Sequence, residues 1–195
     1  MPESTRAVTF ATSNRGKVQE ARIILSPYGI DVEPFDGKGL EIQADTVSEV
    51  ATFSARAASR RYRASLIVED AGLFVDSLGG FPGPSSSYAY RTVGIRGLLA
   101  LMEGARSRRA RFESAVAFCT PRGEPRVFEG VVKGRISRSP SGGNGFGFDP
   151  VFIPSGGRRT MGEMTLEEKC LVSHRGEALR KFAAWYTGSR AGQRF

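Results

Sequence analysis

Two carboxylates stand side by side after a short apolar segment in this sequence. Residues 65–68 are apolar enough for a buried strand, and Glu69 and Asp70 follow directly. Ligands bind in α/β sheets at the ends of such strands, and Mg²⁺ prefers carboxylate oxygens, supplemented by substrate phosphates. Neighbouring strand residues point to opposite faces, so we expect one of the two acids to face a cleft, with Gly72 turning the backbone around a ligand. The segment predicts a magnesium site, the alternative being an acidic turn without a ligand.

Two further carboxylates, Glu41 and Asp45, precede the next predicted helix. Asp45 is placed to serve the N-terminus of that helix, which begins near residue 47. Glu41 lies outside the helix and has no evident structural task. We therefore favour Glu41 as the second metal ligand and keep Asp45 as the alternative.

Residues 12–17, Thr-Ser-Asn-Arg-Gly-Lys, lie between a predicted strand and a predicted helix. Backbone N–H groups at a helix start attract anions, and Lys17 adds a point charge suited to a phosphate. The segment is not a Walker A sequence, which needs two glycines and a Lys-Ser/Thr pair. Taken alone, it is also consistent with a capped helix that carries an exposed lysine.

The glycine-rich residues 142–150 predict a loop that passes close to a flat ligand. Phe146 can stack on a ring and Asp149 can accept hydrogen bonds, and a purine base offers both a π-face and N–H donors. Further along, Lys169 can meet a phosphate, while His174 and Arg175 can recognise a carbonyl oxygen. For His174, the only histidine, a capping or packing role is the alternative.

Five segments in this order resemble the inosine/xanthosine triphosphate pyrophosphatase family, also called Ham1-like. They are residues 12–17, 69–73, 80–83, 146–150 and 173–176. Residues 41–46 look most like the archaeal branch. The resemblance implies an α/β fold with an elongated mixed sheet and flanking helices forming two lobes around a cleft. It also implies a homodimer and Mg²⁺-dependent cleavage between the α- and β-phosphates of ITP, XTP and their deoxy forms.

The resemblance also implies a role for individual residues. The triphosphate-binding residues are Thr12, Asn14, Lys17 and Lys169. The metal ligands are Glu41 and Asp70, and Asp70 also orients or deprotonates the attacking water, with Glu69 as a structural neighbour. Phe146 stacks on the base, whose edge is read by Asp149, His174 and Arg175. Ala71 stands in the substrate-binding segment where the family commonly has serine, so a hydroxyl contact is lost. Residues 84–88 also depart from the family pattern, which leaves open what that loop contributes to the dimer or the cleft.

A fold must bring these residues together, and the sequence predicts one mixed α/β domain of 195 residues with two lobes. The predicted strands are residues 8–12, 30–35, 65–68, 112–120 and 126–137. The predicted helices are residues 18–25, 46–58, 95–102 and most of 166–186. Thr46 and Glu49 have the spacing of a capping box.

The net charge of +8 favours a polyanionic partner, either a nucleotide or a nucleic acid. The arginine runs at residues 60–63 and 106–111 are short and carry no aromatic residue apart from Tyr62, so nucleic-acid binding is disfavoured. A pyrophosphatase for other modified nucleotides is a second alternative. No apolar run approaches a membrane span and residues 1–11 lack a secretory pattern, so we expect a cytoplasmic protein. Cys119 and Cys170 lack metal-ligand spacing.

Overall fold

The computed structural model describes residues 6–37, 40 and 42–191. Within these residues the chain forms one sheet of seven strands and six α-helices. The strands are β1 (Arg6–Ala11), β2 (Ile30–Phe35), β3 (Leu66–Val75), β4 (Pro82–Gly83), β5 (Arg109–Cys119), β6 (Arg126–Ile136) and β7 (Phe152–Pro154). The helices are α1 (Arg15–Leu25), α2 (Val47–Tyr62), α3 (Ser86–Thr92), α4 (Gly94–Leu101), α5 (Leu166–Val172) and α6 (His174–Ala191).

The sheet is mixed, with strand order β2-β1-β3-β5-β6-β7 and β4 pairing with β3. The strands β2, β1 and β3 are parallel, while β5, β6 and β7 continue the sheet antiparallel to their neighbours. This architecture confirms the mixed α/β prediction. In the part of the chain that the structure describes, no helix is both long and apolar enough to cross a membrane.

Capping residues and apolar spacing in the sequence predicted the position of α2, which borders the candidate site. The capping box predicted for α2 is present, because the Thr46 hydroxyl accepts from the Glu49 N–H and the Glu49 carboxylate accepts from the Thr46 N–H. Most apolar positions of α2 are buried, as the helical spacing predicted, but Phe53 is exposed. The helix α3 was not among the predicted helices, and residues 166–186, predicted to be mostly helical, divide into α5 and α6 at Ser173.

The strand β3 is longer than predicted, and this corrects the expectation that Glu69 and Asp70 end a strand. Its register with β5 is continuous from Leu66 opposite Cys119 to Val75 opposite Ala110, and this pairing keeps the chain extended beyond the two acids. The expected turn at Gly72 is likewise wrong. Gly72 stays in the strand, and a Cβ atom there would lie 2.4 Å from the carbonyl oxygen of Gly83 in β4. The glycine thus permits a close approach of backbone rather than a turn.

Two apolar cores lie towards opposite ends of β3. Ile67 belongs to a core with β1, α1 and α6, whereas Leu73 and Val75 belong to a second core with α4 and β7. Alternate residues of a strand share a face, so Glu69 lies on this face between the two cores. The two cores leave a polar region between them, and the expected organisation into two lobes stays a prediction.

Candidate active site

Six buried or nearly buried side chains form a chain of alternating charges between the two cores. In order they are Asp149, Lys169, Glu20, Arg175, Glu69 and Lys17. The Lys169 Nζ atom lies 2.7 Å from Glu20 Oε1, and Arg175 Nη1 lies 2.6 Å from Glu20 Oε2. Burying so many charges is costly unless each is paired, so this arrangement is typical of a functional site rather than of ordinary packing.

The pairing keeps the two central acids ionised. Burial would raise the pKa of Glu69, but the positive charges of Arg175 and Lys17 outweigh it and hold that pKa well below its ordinary value. The pKa of Glu20 is also lowered, because Arg175 and Lys169 together outweigh its burial. For Asp149 the balance reverses: burial raises the pKa of its carboxyl despite the nearby Lys169.

The predicted phosphate segment forms the N-terminus of α1. The Asn14 side chain caps this helix by accepting from the N–H groups of Gly16 and Lys17, and the Asn14 N–H donates to Thr12 Oγ1. The Lys17 ammonium lies 2.8 Å from Glu69 Oε2 and donates to the Glu69 carbonyl oxygen at 2.8 Å. Because the Lys17 side chain is 18% exposed, its charge lies near solvent at one end of the buried chain.

The predicted base segment meets the phosphate segment directly. The Phe146 ring packs so closely on the start of α1 that a Cβ atom on Gly16 would lie 2.8 Å from it. Lys169 Nζ is 4.4 Å from the centre of this ring, and the Arg175 guanidinium is 5.2 Å away. The Asp149 carboxylate accepts from the Phe146 N–H at 2.8 Å and fixes the loop. The ring is only partly buried, so a flat ligand can reach it.

His174 is the first residue of α6 and is 3% exposed. Its ring stacks on Phe112 with centroids 4.7 Å apart. Burial lowers the pKa of His174 well below its ordinary value, with the positive charge of Arg175 adding to the effect. Among the described residues, its Nδ1 atom has no hydrogen-bond partner. A buried polar atom without a partner costs about 1–3 kcal/mol, so Nδ1 indicates a place for a ligand group.

Asp70 lies on the other face of β3. That face carries Val68 and Phe74, which pack with α2, so Asp70 is directed to the α2 side and away from Glu69. The two acids therefore lie on opposite faces of β3, as the strand alternation predicted, whereas the expectation that one of them faces a cleft stays a prediction. Ala71 returns to the Glu69 face, opposite Ser114 of β5.

The edge of the sheet has a gap along β3, between the residues that pair with β1 and those that pair with β4. On this side of β3, the described part of β1 pairs only with Leu66 and Ile67, and β4 pairs only with Leu73 and Phe74. Lys17 donates to the Glu69 carbonyl within the intervening stretch. A ligand that entered this gap would lie beside Lys17. The gap and Lys17 therefore lie at the same edge of β3.

The second metal ligand stays a prediction, because Glu41 lies outside the described residues. Asp45 is exposed and lines a groove of about 860 Å³ along the N-terminal half of α2. The helix-capping task expected of Asp45 is performed by Thr46 instead. Within residues 6–37, 40 and 42–191, no three or more His, Cys, Asp or Glu side chains cluster as a metal site.

The sequence missed Glu20, and it assigned Glu69 only a structural place. Glu20 interrupts the buried face of α1 formed by Val18, Ala21 and Leu25, and an acid among such apolar positions is the signal that could have revealed it. The structure places Lys169 beside Asp149 and the Phe146 ring rather than beside Lys17. Its contact with the triphosphate stays a prediction.

The chain is similar to proteins of known family along nearly its whole length. It is 47% identical over 186 residues to a dITP/XTP pyrophosphatase of Methanopyrus kandleri, covering 95% of this chain and 99% of that protein. A dITP/XTP pyrophosphatase of Methanothermobacter marburgensis is 50% identical over 180 residues, covering 92% and 96%. The solved structure of a HAM1 protein from Coxiella burnetii matches with a TM-score of 0.82 and 30% identity, covering 94% and 99%. The model of the Ham1 family matches residues 8–185, and with this fold and these relatives the chain belongs to the Ham1 family.

Proposed function

We propose that this protein is an enzyme that hydrolyses deaminated purine nucleoside triphosphates (dITP, ITP and XTP) to the monophosphate and pyrophosphate. The observation that carries the proposal is the buried, neutral His174, whose Nδ1 atom is unsatisfied among the described residues, next to Arg175 beneath the Phe146 ring. These groups suit a flat base with a carbonyl acceptor. The names of the matched archaeal relatives, dITP/XTP pyrophosphatases, support the same substrate class.

Selection of the base rests on the 6-position of the purine. As the Nδ1–H tautomer, His174 donates to the 6-carbonyl of hypoxanthine or xanthine, and Arg175 adds further N–H donors. Adenine presents an amino group there, which would leave a buried donor facing a donor. That mismatch costs about 1–3 kcal/mol, which corresponds to a discrimination of roughly 5- to 150-fold.

The reaction is attack of water on the α-phosphorus with pyrophosphate as the leaving group. Asp70 orients the water or accepts its proton, and Lys17, with the Thr12 and Asn14 loop, binds the negatively charged phosphates. Because the barrier is mainly electrostatic, the roles of Lys17 and Asp70 are to compensate charge and to fix the position of the water.

The carboxylate of Asp70 supplies the kind of oxygen ligand that a divalent ion such as Mg²⁺ prefers. Such an ion is commonly held by one or two carboxylates together with substrate phosphates, so a larger protein cluster is not required. We propose Asp70 and Glu41 as its ligands, with Asp45 as the alternative to Glu41. When bound, the ion would neutralise phosphate charge and polarise the phosphorus.

The homodimer implied by the family resemblance is part of this proposal. Phe81, Tyr88, Tyr90, Val93 and Leu101 are large apolar side chains with substantial exposure on α3, α4 and the turn before them, and they offer a surface for a second copy. Light scattering during size-exclusion chromatography tests it. We also propose a cytoplasmic location, where such triphosphates arise from the nucleotide pool.

Product analysis tests the reaction. With dITP and Mg²⁺, we expect dIMP and pyrophosphate in equal amounts, and removal of the metal with EDTA stops the release. The Asp70→Asn variant should fold normally and lose at least a hundredfold in kcat. Formation of dIDP and phosphate would contradict the proposed cleavage, and normal turnover by the Asp70→Asn enzyme would remove its proposed role.

A further inference from the structure

Glu69 holds two cations that come from opposite ends of the candidate site. Its Oε1 atom lies 3.0 Å from Arg175 Nε and accepts from Ser114 Oγ at 2.6 Å, while its Oε2 atom lies 2.8 Å from Lys17 Nζ. The Glu69 side chain is fully buried. One carboxylate therefore has both oxygens committed, one to the residue proposed to read the base and the other to the residue proposed to bind phosphate.

Lys17 depends on Glu69 more than on any other described residue. Within the described residues, both partners of its ammonium belong to Glu69, namely the carboxylate and the backbone carbonyl oxygen. Arg175, by contrast, is held from two sides, by Glu69 and by Glu20. Changing the Glu69 carboxylate therefore acts directly on the position of Lys17 and partly on that of Arg175.

The strand gives Glu69 a fixed position from which to act. It lies in the middle of β3, opposite Val116 in the continuous β3–β5 register, so the direction of its side chain is set by the sheet. In a buried environment electrostatic interactions are stronger than in water, so a change in one contact of the carboxylate alters the other. A hydrogen bond between Arg175 and a base carbonyl changes the strength of the ion pair between Arg175 and Glu69. The changed charge distribution on the Glu69 carboxylate then alters the strength of its ion pair with Lys17.

We propose that Glu69 is a positioning residue that couples recognition of the base by Arg175 to binding of the phosphates by Lys17. This inference rests on the proposed function. Its consequence is that a correct base improves the placement of the triphosphate, so part of the selectivity for dITP over dATP appears in kcat and not only in KM. Loss of the Glu69 charge uncouples the two ends and reduces selectivity more than it reduces the turnover of dATP.

The test compares steady-state kinetics of dITP and dATP in matched variants. For Glu69→Gln we expect the ratio of the two kcat/KM values to fall at least fivefold, with the larger loss in the kcat of dITP. The Glu69→Asp variant keeps the charge and should recover part of the ratio. Glu113→Gln, which removes a partly buried acid on the neighbouring strand that pairs with Arg111, should leave the ratio unchanged.

A variant that keeps the buried charge guards against loss of folding. Ser114→Ala removes only the hydroxyl that donates to Glu69 Oε1, and we expect the selectivity ratio to fall about twofold to threefold. An unchanged ratio in a folded Glu69→Gln enzyme overturns the coupling, and so does an unchanged ratio in Ser114→Ala if Glu69→Gln fails to fold. Failure of the wild-type enzyme to hydrolyse dITP overturns the proposed function itself, and the coupling with it.

Discussion

His174 should make the stability of this protein depend on pH between about 7.5 and 5.5. It is the only histidine in the chain, and it is buried against Phe112. Burial holds its pKa well below 6.5, the charges of Arg175 and Lys169 add to the effect, and Glu69 opposes it. As the pH falls below about 6.5, the unfolded chain therefore takes up a proton that the folded protein does not.

The sign and the size of the change in the free energy of unfolding follow from this difference in proton binding. A histidine whose pKa is lowered by folding gives its full contribution above about pH 6.5 and loses it as the pH falls towards the folded pKa. If the folded protein binds no proton at His174, the free energy of unfolding drops by about 1.4 kcal/mol between pH 7.5 and 5.5. The raised pKa of Asp149 acts in the opposite direction, and the lowered pKa of Glu20 acts only as the pH falls through about 4.5 and below.

Urea unfolding at pH 7.5, 6.5 and 5.5 measures the effect, followed by the fluorescence of Trp185, the single tryptophan. The stability advantage of the wild type over His174→Gln should shrink by about 1.4 kcal/mol across this range, because the variant lacks the titrating ring. Phe182→Leu is the control: it perturbs the other core, and its stability difference from the wild type should stay constant. A constant difference for His174→Gln as well would show that His174 titrates normally in the folded protein and would refute the reasoning.

Two further substitutions test the close contacts of the site. Gly72→Ala places a methyl group 2.4 Å from the Gly83 carbonyl, so strands β3 and β4 must separate. We expect a loss of about 1–3 kcal/mol in the free energy of unfolding measured in urea, and an unchanged value would contradict the close approach. Phe146→Leu removes the ring proposed to stack on the base, worth about 1–3 kcal/mol, so the KM for dITP should rise about tenfold while stability changes little. An unaltered KM would exclude Phe146 from the base site.

Local patterns in the sequence predicted much of the fold, because their causes are local. The Thr46–Glu49 capping box and the apolar spacing of α2 are properties of one helix, and both are present in the structure. The length of β3 was missed because it depends on pairing with β5, some 45 residues away in the sequence, which holds the chain straight past Asp70. A strand end inferred from composition alone has no access to such pairing.

The sequence predicted which residues belong to the candidate site, but it did not predict how those residues are arranged in space. Phe146 and Gly16 are far apart in the sequence, and only the fold shows that the base and phosphate segments touch. Glu20 went unnoticed because a single acid in an amphipathic helix is usually solvated, and its burial becomes visible only once α6 supplies Arg175. The strand alternation at Glu69 and Asp70 was predictable from local geometry, but the partners on each face were not.

Competition between purine triphosphates tests the proposed function most directly. Equal concentrations of dITP, XTP, dATP and dGTP are incubated with the enzyme and Mg²⁺, and the monophosphates formed from each are separated and quantified over time. We expect dITP and XTP to be consumed at least tenfold faster than dATP, in line with the cost of an unpaired buried donor at the 6-amino group of adenine. Guanine carries the same 6-carbonyl as hypoxanthine, so a slower rate with dGTP would reflect selection at the 2-position. Equal rates for all four triphosphates would contradict the proposed selection of deaminated purines.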